Sequence, residues 1–166
     1  GLANAVFNKH DVLLVILDNG TTAMTGHQPN PGVCTSVLGE GCNHLDIESV
    51  VRGIGVTDVA KVKPFNMRGT LKTIEEMKAR SGVRVIIAEE PCMLFARRTL
   101  KQNRPQVAEV ATQGEEALKC LAELACPAFR RGGTAEAPVV SVDESQCSGC
   151  MVCLQVTPAI RARKRS

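Results

Sequence analysis

The sequence predicts an α/β protein in which a doubly wound parallel sheet is followed by a small cysteine-bearing module. Three observations carry that reading. Residues Asp11 to Asp18 (DVLLVILD) form an almost continuous apolar run closed by Asp-Asn-Gly, the pattern of a central, parallel strand buried on both faces. Strand-like and helix-like segments then alternate as far as Ala88, as in sheets covered by helices on both sides. Finally, Cys147, Cys150 and Cys153 stand at C-x2-C-x2-C spacing, with a Cys-Pro pair, Cys126-Pro127, ahead of them. The expected division is an α/β domain over residues 1–112 and a module over 113–166.

Taken in order, Gly1 to Lys9 places Leu2 and Val6, with the small Ala3 and Ala5, on helical spacing and runs straight into the first strand, so the start reads as a cut through a larger α/β domain. A Gly-, Pro-, Thr- and Asn-rich loop spans Asn19 to about Gly41, and Leu45 to Arg52 is amphipathic and suits a helix. Val56 to Val62 reads as a second strand, Met67 to Arg80 as a helix with Leu71, Ile74 and Met77 on one face, and Val83 to Ala88 as a third strand. In such sheets ligands lie beyond the carboxyl ends of the strands, which is where the long loop falls. A mixed segment follows Glu89-Glu90-Pro91. Gln113 to Ala125 is a good helix leading into Cys126, Arg130 to Pro138 a polar linker or hairpin tip, and Val139 to Val142 a short strand before the cysteine loop.

At 166 residues and 44% hydrophobic content, the chain has enough apolar matter for a packed core. Its longest apolar run, Val12 to Leu17, falls far short of the ~18 residues a membrane-spanning helix needs. The net charge is only +3, and four of the last six residues are basic, which reads as a solvated terminus. With 2% aromatic residues and no Trp or Tyr, the chain lacks the stacking groups of single-stranded nucleic-acid sites. Nothing resembles a secretory signal, so the cysteines point to a reducing, cytoplasmic setting.

The cysteine triplet is the spacing that folds three thiolates around one iron-sulfur cubane. A bacterial ferredoxin run would continue C-x3-C-P, but Thr157-Pro158 stands there. In two-cluster ferredoxins the cysteine before proline serves the other cluster, so the fourth ligand should come from an earlier Cys-Pro. Ala125-Cys126-Pro127-Ala128-Phe129 parallels Val156-Thr157-Pro158-Ala159-Ile160, as if two halves of a duplication each ended in x-P-A-apolar. One half keeps its Cys-Pro and lacks its triplet, and the other the reverse. The expected ligand set is Cys126, Cys147, Cys150 and Cys153 around a single 4Fe-4S cluster. A structural zinc site is the alternative, although zinc sites usually present two separate C-x2-C pairs. Cys34, Cys42 and Cys92 read as ordinary thiols, Cys92 as a packed small residue.

The loop Leu17 to Gly32 (LDNGTTAMTGHQPNPG) brings Asp18 and Asn19 to a strand end beside the hydroxyls of Thr21, Thr22 and Thr25 and the backbone of Gly26. Those oxygens suit magnesium and those amides a diphosphate, while a polar loop of this kind can also be a plain connection. This stretch resembles the end of the thiamine-diphosphate motif in the indolepyruvate:ferredoxin oxidoreductase alpha subunit, within the wider 2-oxoacid:ferredoxin oxidoreductase family. The resemblance runs on through Val83 to Arg98 (VRVIIAEEPCMLFARR) into the ferredoxin-like tail, essentially the whole chain. The Gly-Asp-Gly opening of that motif, whose Asp binds magnesium, would lie upstream of residue 1.

The resemblance implies a thiamine-diphosphate-binding fold truncated at its N-terminus. It implies that Asn19 gives its side-chain oxygen and Thr21 its backbone carbonyl to magnesium, and that Thr22, Met24, Thr25, Gly26, His27 and Gln28 line the diphosphate and thiazolium side of the pocket. The implied activity is oxidative decarboxylation of an arylpyruvate to an acyl-coenzyme A, with electrons passed singly to the cluster and on to ferredoxin. The implied partners are a beta subunit, ferredoxin and the preceding part of the same subunit. His27 could move a proton near the cofactor or serve as a structural hydrogen-bonding group, and Met24 could touch cofactor or fill core. His10 and His44 read as surface residues. The rival reading is an electron-transfer or subunit-docking module without catalysis of its own.

Overall fold

The computed structural model describes every residue except 34, 35, 37, 40, 42, 99–103 and 166, and of residue 98 only the backbone. The expectation for Cys34 and Cys42 lies outside the described residues. The chain forms two compact units, Gly1–Leu100 and Lys101–Ser166.

The first unit contains helix α1 (Leu2–Phe7), strand β1 (Val12–Asp18), helix α2 (Ile47–Gly53), strand β2 (Asp58–Val62), helix α3 (Met67–Lys78), strand β3 (Val83–Glu89) and helix α4 (Met93–Arg98). Its sheet is parallel, in the order β1-β3-β2. Period-two alternation puts successive β3 side chains on opposite faces. Val85 and Ile87 join Val51 and Val56, with Leu2 and Val6 of α1 against them, while Ile86 and Ala88 meet Met77 of α3. Helices thus cover both faces, as a doubly wound sheet requires. Each longer helix starts where a side chain accepts an orphan amide. Asp46 accepts from Ser49 N at 3.0 Å, and Asn66 from Gly69 N at 3.2 Å.

The central strand is β3, which corrects the expectation for Asp11 to Asp18. Among the described residues β1 is an edge strand, and Val15 and Leu17 are exposed. Its apolar content exceeds what this chain covers, because only β3 pairs with it. The mixed segment after Pro91 holds α4, which six residues were too few to announce by periodicity.

The second unit is a repeat of strand-helix-strand. Strand β4 (Gln106–Val110), helix α5 (Glu115–Glu123) and strand β5 (Phe129–Gly133) are followed by strand β6 (Pro138–Val142), the short helix α6 (Cys153–Val156) and strand β7 (Ile160–Lys164). β4 pairs antiparallel with β7, and β5 with β6. Exchanging the two repeats maps one ladder onto the other. The core joins Val107, Ala117, Cys120, Phe129, Val140 and Ile160.

Two expectations change here. Arg130 to Gly133 is strand, not linker, and only the tight turn to Pro138 remains a tip. The basic terminus is not solvated coil. Arg161 and Arg163 lie on β7 and pair with Glu109 at 2.8 Å and Glu144 at 2.6 Å. Arg165 donates to the backbone oxygens of Cys147 at 2.8 Å and Glu144 at 3.2 Å, so the tail clasps the cysteine loop.

Candidate functional site

Each unit carries its own set of chemistry-bearing residues. In the first, β1 delivers Asp18 and Asn19 to the carboxyl edge of the sheet. Two Asx turns start the loop, with Gly20 N donating to Asp18 Oδ1 at 3.2 Å and Thr21 N to Asn19 Oδ1 at 3.1 Å. Backbone bonds from Glu90 N to Asp18 O at 3.0 Å and from Cys92 N to Asn19 O at 2.9 Å stitch the ends of β1 and β3 together.

Thr22 and Gln28 then bridge antiparallel around a short 3-10 turn, Ala23–Thr25. Thr25 Oγ1 donates to Gln28 Oε1 at 2.7 Å, Gln28 Nε2 donates to Thr25 O, and Asn30 Nδ2 donates to Thr22 Oγ1 at 3.3 Å. Gly26 (φ 105°) and His27 (φ 65°) both take left-handed backbone. For histidine that conformation is unusual, and such outliers gather at functional sites.

The loop also buries polar atoms without partners. Among the described residues Thr21 Oγ1 and His27 Nδ1 have none, and the His27 ring lies against Phe95 with centroids 5.3 Å apart. An orphaned buried hydroxyl and imidazole nitrogen each cost free energy unless something supplies a partner. Met24 is fully exposed and fills no core in this chain. His10 and His44 are exposed as expected, and Cys92 is half-buried.

Beyond the strand ends opens a cleft of about 290 Å³ lined by Asp18, Gly20, Gly32, Lys63, Glu89, Glu90 and Pro91. Of the seven residues expected to meet a cofactor and the expected catalytic His27, none lines it. Lys63, Glu89 and Glu90 were not singled out by the sequence. Their signal was available, since charged residues directly following the second and third strands must fall at this edge.

In the second unit, α5 ends at Leu124 and the chain turns through Ala125 (φ 44°) to present Cys126. The loop after β6 presents Cys147 and Cys150, passes Met151 (φ 60°), and enters α6 at Cys153. Gly149 takes φ 72°, and a Cβ there would sit 2.5 Å from Gln106 O, so only glycine lets the loop lie against the start of β4. All four thiols, with Ala108, Phe129 and Val152 among others, line one cavity of about 130 Å³.

Ala108 N donates to Cys147 Sγ at 3.5 Å. Burial, reinforced by the neighbouring thiols of Cys120, Cys150, Cys147 and Cys126, pushes Cys153 up to about 12. Burial and then Cys126 push Cys120 up to about 11. Cys120, the one cysteine near where the ligands of a second cluster would be expected, is buried in the same core but does not line the cavity. Among the described residues no group of three or more His, Cys, Asp or Glu is set to hold a metal ion. The four thiols border a space and do not converge on a point.

Residues 1–88 match the family described as thiamine pyrophosphate enzyme, C-terminal TPP binding domain. The chain is 39% identical over 158 residues to the indolepyruvate oxidoreductase subunit IorA of Archaeoglobus fulgidus, covering 95% of this chain and 25% of that protein. It is 41% identical over 162 residues to the subunit of the same name from Methanothermobacter thermautotrophicus, covering 95% and 24%. The chain therefore spans about a quarter of the length of the curated relatives it matches. No solved structure gives a significant match. A strand-end loop of hydroxyls and amides, on a parallel sheet that matches this family over more than half the chain, identifies the chain as a member of the thiamine pyrophosphate enzyme family carrying its C-terminal TPP-binding domain.

Proposed function

We propose that this chain is the C-terminal part of a thiamine-diphosphate-dependent 2-oxoacid:ferredoxin oxidoreductase of the indolepyruvate type, with its own single 4Fe-4S cluster. The observation that carries the reading is the four-cysteine cavity, present in the same chain as a thiamine-binding domain. Four thiolates around zinc, each at about 2.3 Å, would lie about 3.8 Å from one another with no cavity between them. Thiols spread around a 130 Å³ space favour a cubane instead.

The residues fit that group: Cys126, Cys147, Cys150 and Cys153 would hold it, and the Ala108 amide would donate to the Cys147 sulfur, a bond of the kind that tunes cluster potential. When bound, the cluster supplies one-electron acceptance. Arg165, on the backbone oxygens of Cys147 and Glu144, holds the ligand loop in place. The ferredoxin-like module is assigned to residues 113–166 together with β4, and the thiamine-binding portion to the residues before it.

Thiamine diphosphate, when bound, supplies the stabilised carbanion chemistry of decarboxylation. Asn19 Oδ1 and the Thr21 carbonyl would hold its magnesium. Thr22, Met24, Thr25, Gly26 and Gln28 would line the cofactor, and His27 would take or give a proton, a reading supported by its buried Nδ1 having no partner among the described residues. The unpaired Thr21 Oγ1 supports a polar occupant at this loop. Coenzyme A would accept the acyl group and ferredoxin the electrons. The partners would be a beta subunit and the preceding part of the same subunit, against which the exposed apolar side chains of β1 would pack. No described helix is long and apolar enough to cross a membrane, and a reducing cytoplasm suits six unpaired described cysteines.

The test uses the full-length subunit assembled with its partner. Indolepyruvate-dependent reduction of a viologen dye should fall at least 100-fold in Cys150→Ala, while a single turnover of carbon dioxide release persists. The present chain alone should give no viologen reduction with indolepyruvate. Undiminished reduction in Cys150→Ala would overturn the electron path, and turnover by the chain alone would overturn the division of labour. A module that serves only docking would show full activity after loss of its cysteines.

A further inference from the structure

We infer that the place a second cubane would take is held by a hydrogen-bonded staple of Thr157, Glu116 and Lys119, which joins the two repeats of the module. This rests on reading Cys126, Cys147, Cys150 and Cys153 as the ligands of one cluster. The spacing C-x2-C-x2-C-x3-C puts ligands at offsets 0, 3, 6 and 10. Counted forward from Cys147, the fourth position is Thr157; counted back from Cys126, the first three are Glu116, Lys119 and Ala122. Since the fourth member of each run serves the opposite triplet, the second set is Glu116, Lys119, Ala122 and Thr157.

The exchange of ladders between the repeats, β4 with β7 and β5 with β6, is the two-fold relation that such a crossed ligand set requires. The structure brings three members of the set together although 41 positions separate Glu116 from Thr157. Thr157 Oγ1 donates to Glu116 Oε2 at 2.9 Å, and Lys119 Nζ pairs with Glu116 Oε1. Thr157 is only 2% exposed, and its oxygen also accepts from Ala159 N at 3.2 Å.

A carboxylate, an ammonium, a methyl group and a hydroxyl cannot ligate an iron-sulfur cubane, so a second cluster does not fit. In its place a buried, fully used hydroxyl ties the start of α5 to the end of α6. The first cluster therefore has no relay beside it within the module, and the module stores one electron.

The test is made on the chain loaded with iron and sulfide anaerobically. The variant Glu116→Cys with Lys119→Cys, Ala122→Cys and Thr157→Cys should raise iron from about four to about eight per chain and the electrons taken up from dithionite from one to two. A folded variant that stays at four irons overturns the crossed assignment.

The staple has a separate readout that needs no iron. Thr157→Val should lower the thermal midpoint by about 4 °C or more, the scale expected for one lost hydrogen bond in a domain of this size, and Thr157→Ser should restore most of it. Equal midpoints for Val and Thr overturn the staple. An iron-free native protein would instead overturn the single-cluster reading, leaving the Val and Ser comparison to decide the staple.

Discussion

Cys153 shows how a residue's surroundings set its chemistry. Burial and four neighbouring thiols raise it from 9.0 to about 12, so in the iron-free protein it keeps its proton well beyond the range where an unfolded chain would release it. Above about pH 9 the folded iron-free state binds more protons than the unfolded state, and its stability falls as pH rises toward 12. In protein loaded with the proposed cluster Cys153 would already be a thiolate, so this contribution to the fall would be absent. The expected outcome is a thermal midpoint for iron-free protein that drops between pH 9 and 11 more steeply than that of loaded protein. Parallel pH profiles would contradict it. That Cys126, Cys147, Cys150 and Cys153 border one cavity was legible, because their spacing and the Cys-Pro parallel point to a shared place. That Cys120 is buried in the core beside them was not, because it depends on the packing of α5, which no spacing rule records. The same holds for Arg165, whose role depends on β7 pairing with β4 across more than fifty residues.

At the scale of elements, Gly149 and β1 make the sharpest statements. Gly149→Ala would force a Cβ to within 2.5 Å of Gln106 O at φ 72°, so it should destabilise the module by about 2 kcal/mol, read as a lower denaturant midpoint; an unchanged midpoint would mean that the loop does not lie against β4. β1 was read as central because a continuous apolar run is the mark of burial on both faces. The composition was understood correctly and the position was not, since a strand's place in a sheet depends on which partners are present. Val15 and Leu17 remain exposed on an edge able to pair further. Val15→Lys with Leu17→Lys should therefore reduce concentration-dependent association of this chain in light scattering, with its thermal midpoint little changed. Unaltered association would show that the edge is not the sticky surface. Helices α2 and α3 were legible because their apolar residues recur at helical spacing, and the structure adds the caps Asp46 and Asn66. Strands β4, β5 and β7 were missed because short polar-faced strands are defined by their partners.

For the whole molecule, the two candidate sites make sense together. Under the proposed activity a thiamine-binding domain would release electrons one at a time and need a one-electron acceptor, and four cysteines of the same chain border a cavity. The meeting of Cys126, Cys147, Cys150 and Cys153 around one cavity was legible in the sequence, and the cluster they would hold is the proposal to be tested. The thiamine loop was legible as a strand-end polar loop, but the cleft beside it is lined by Lys63, Glu89 and Glu90, whose meeting depends on the β1-β3-β2 order. The most direct measurement is the iron and acid-labile sulfide content of anaerobically prepared protein, with low-temperature EPR after dithionite reduction. About four irons and four sulfides per chain with a reduced-cluster signal is the predicted result; zinc without sulfide would contradict it and reduce the module to a structural staple.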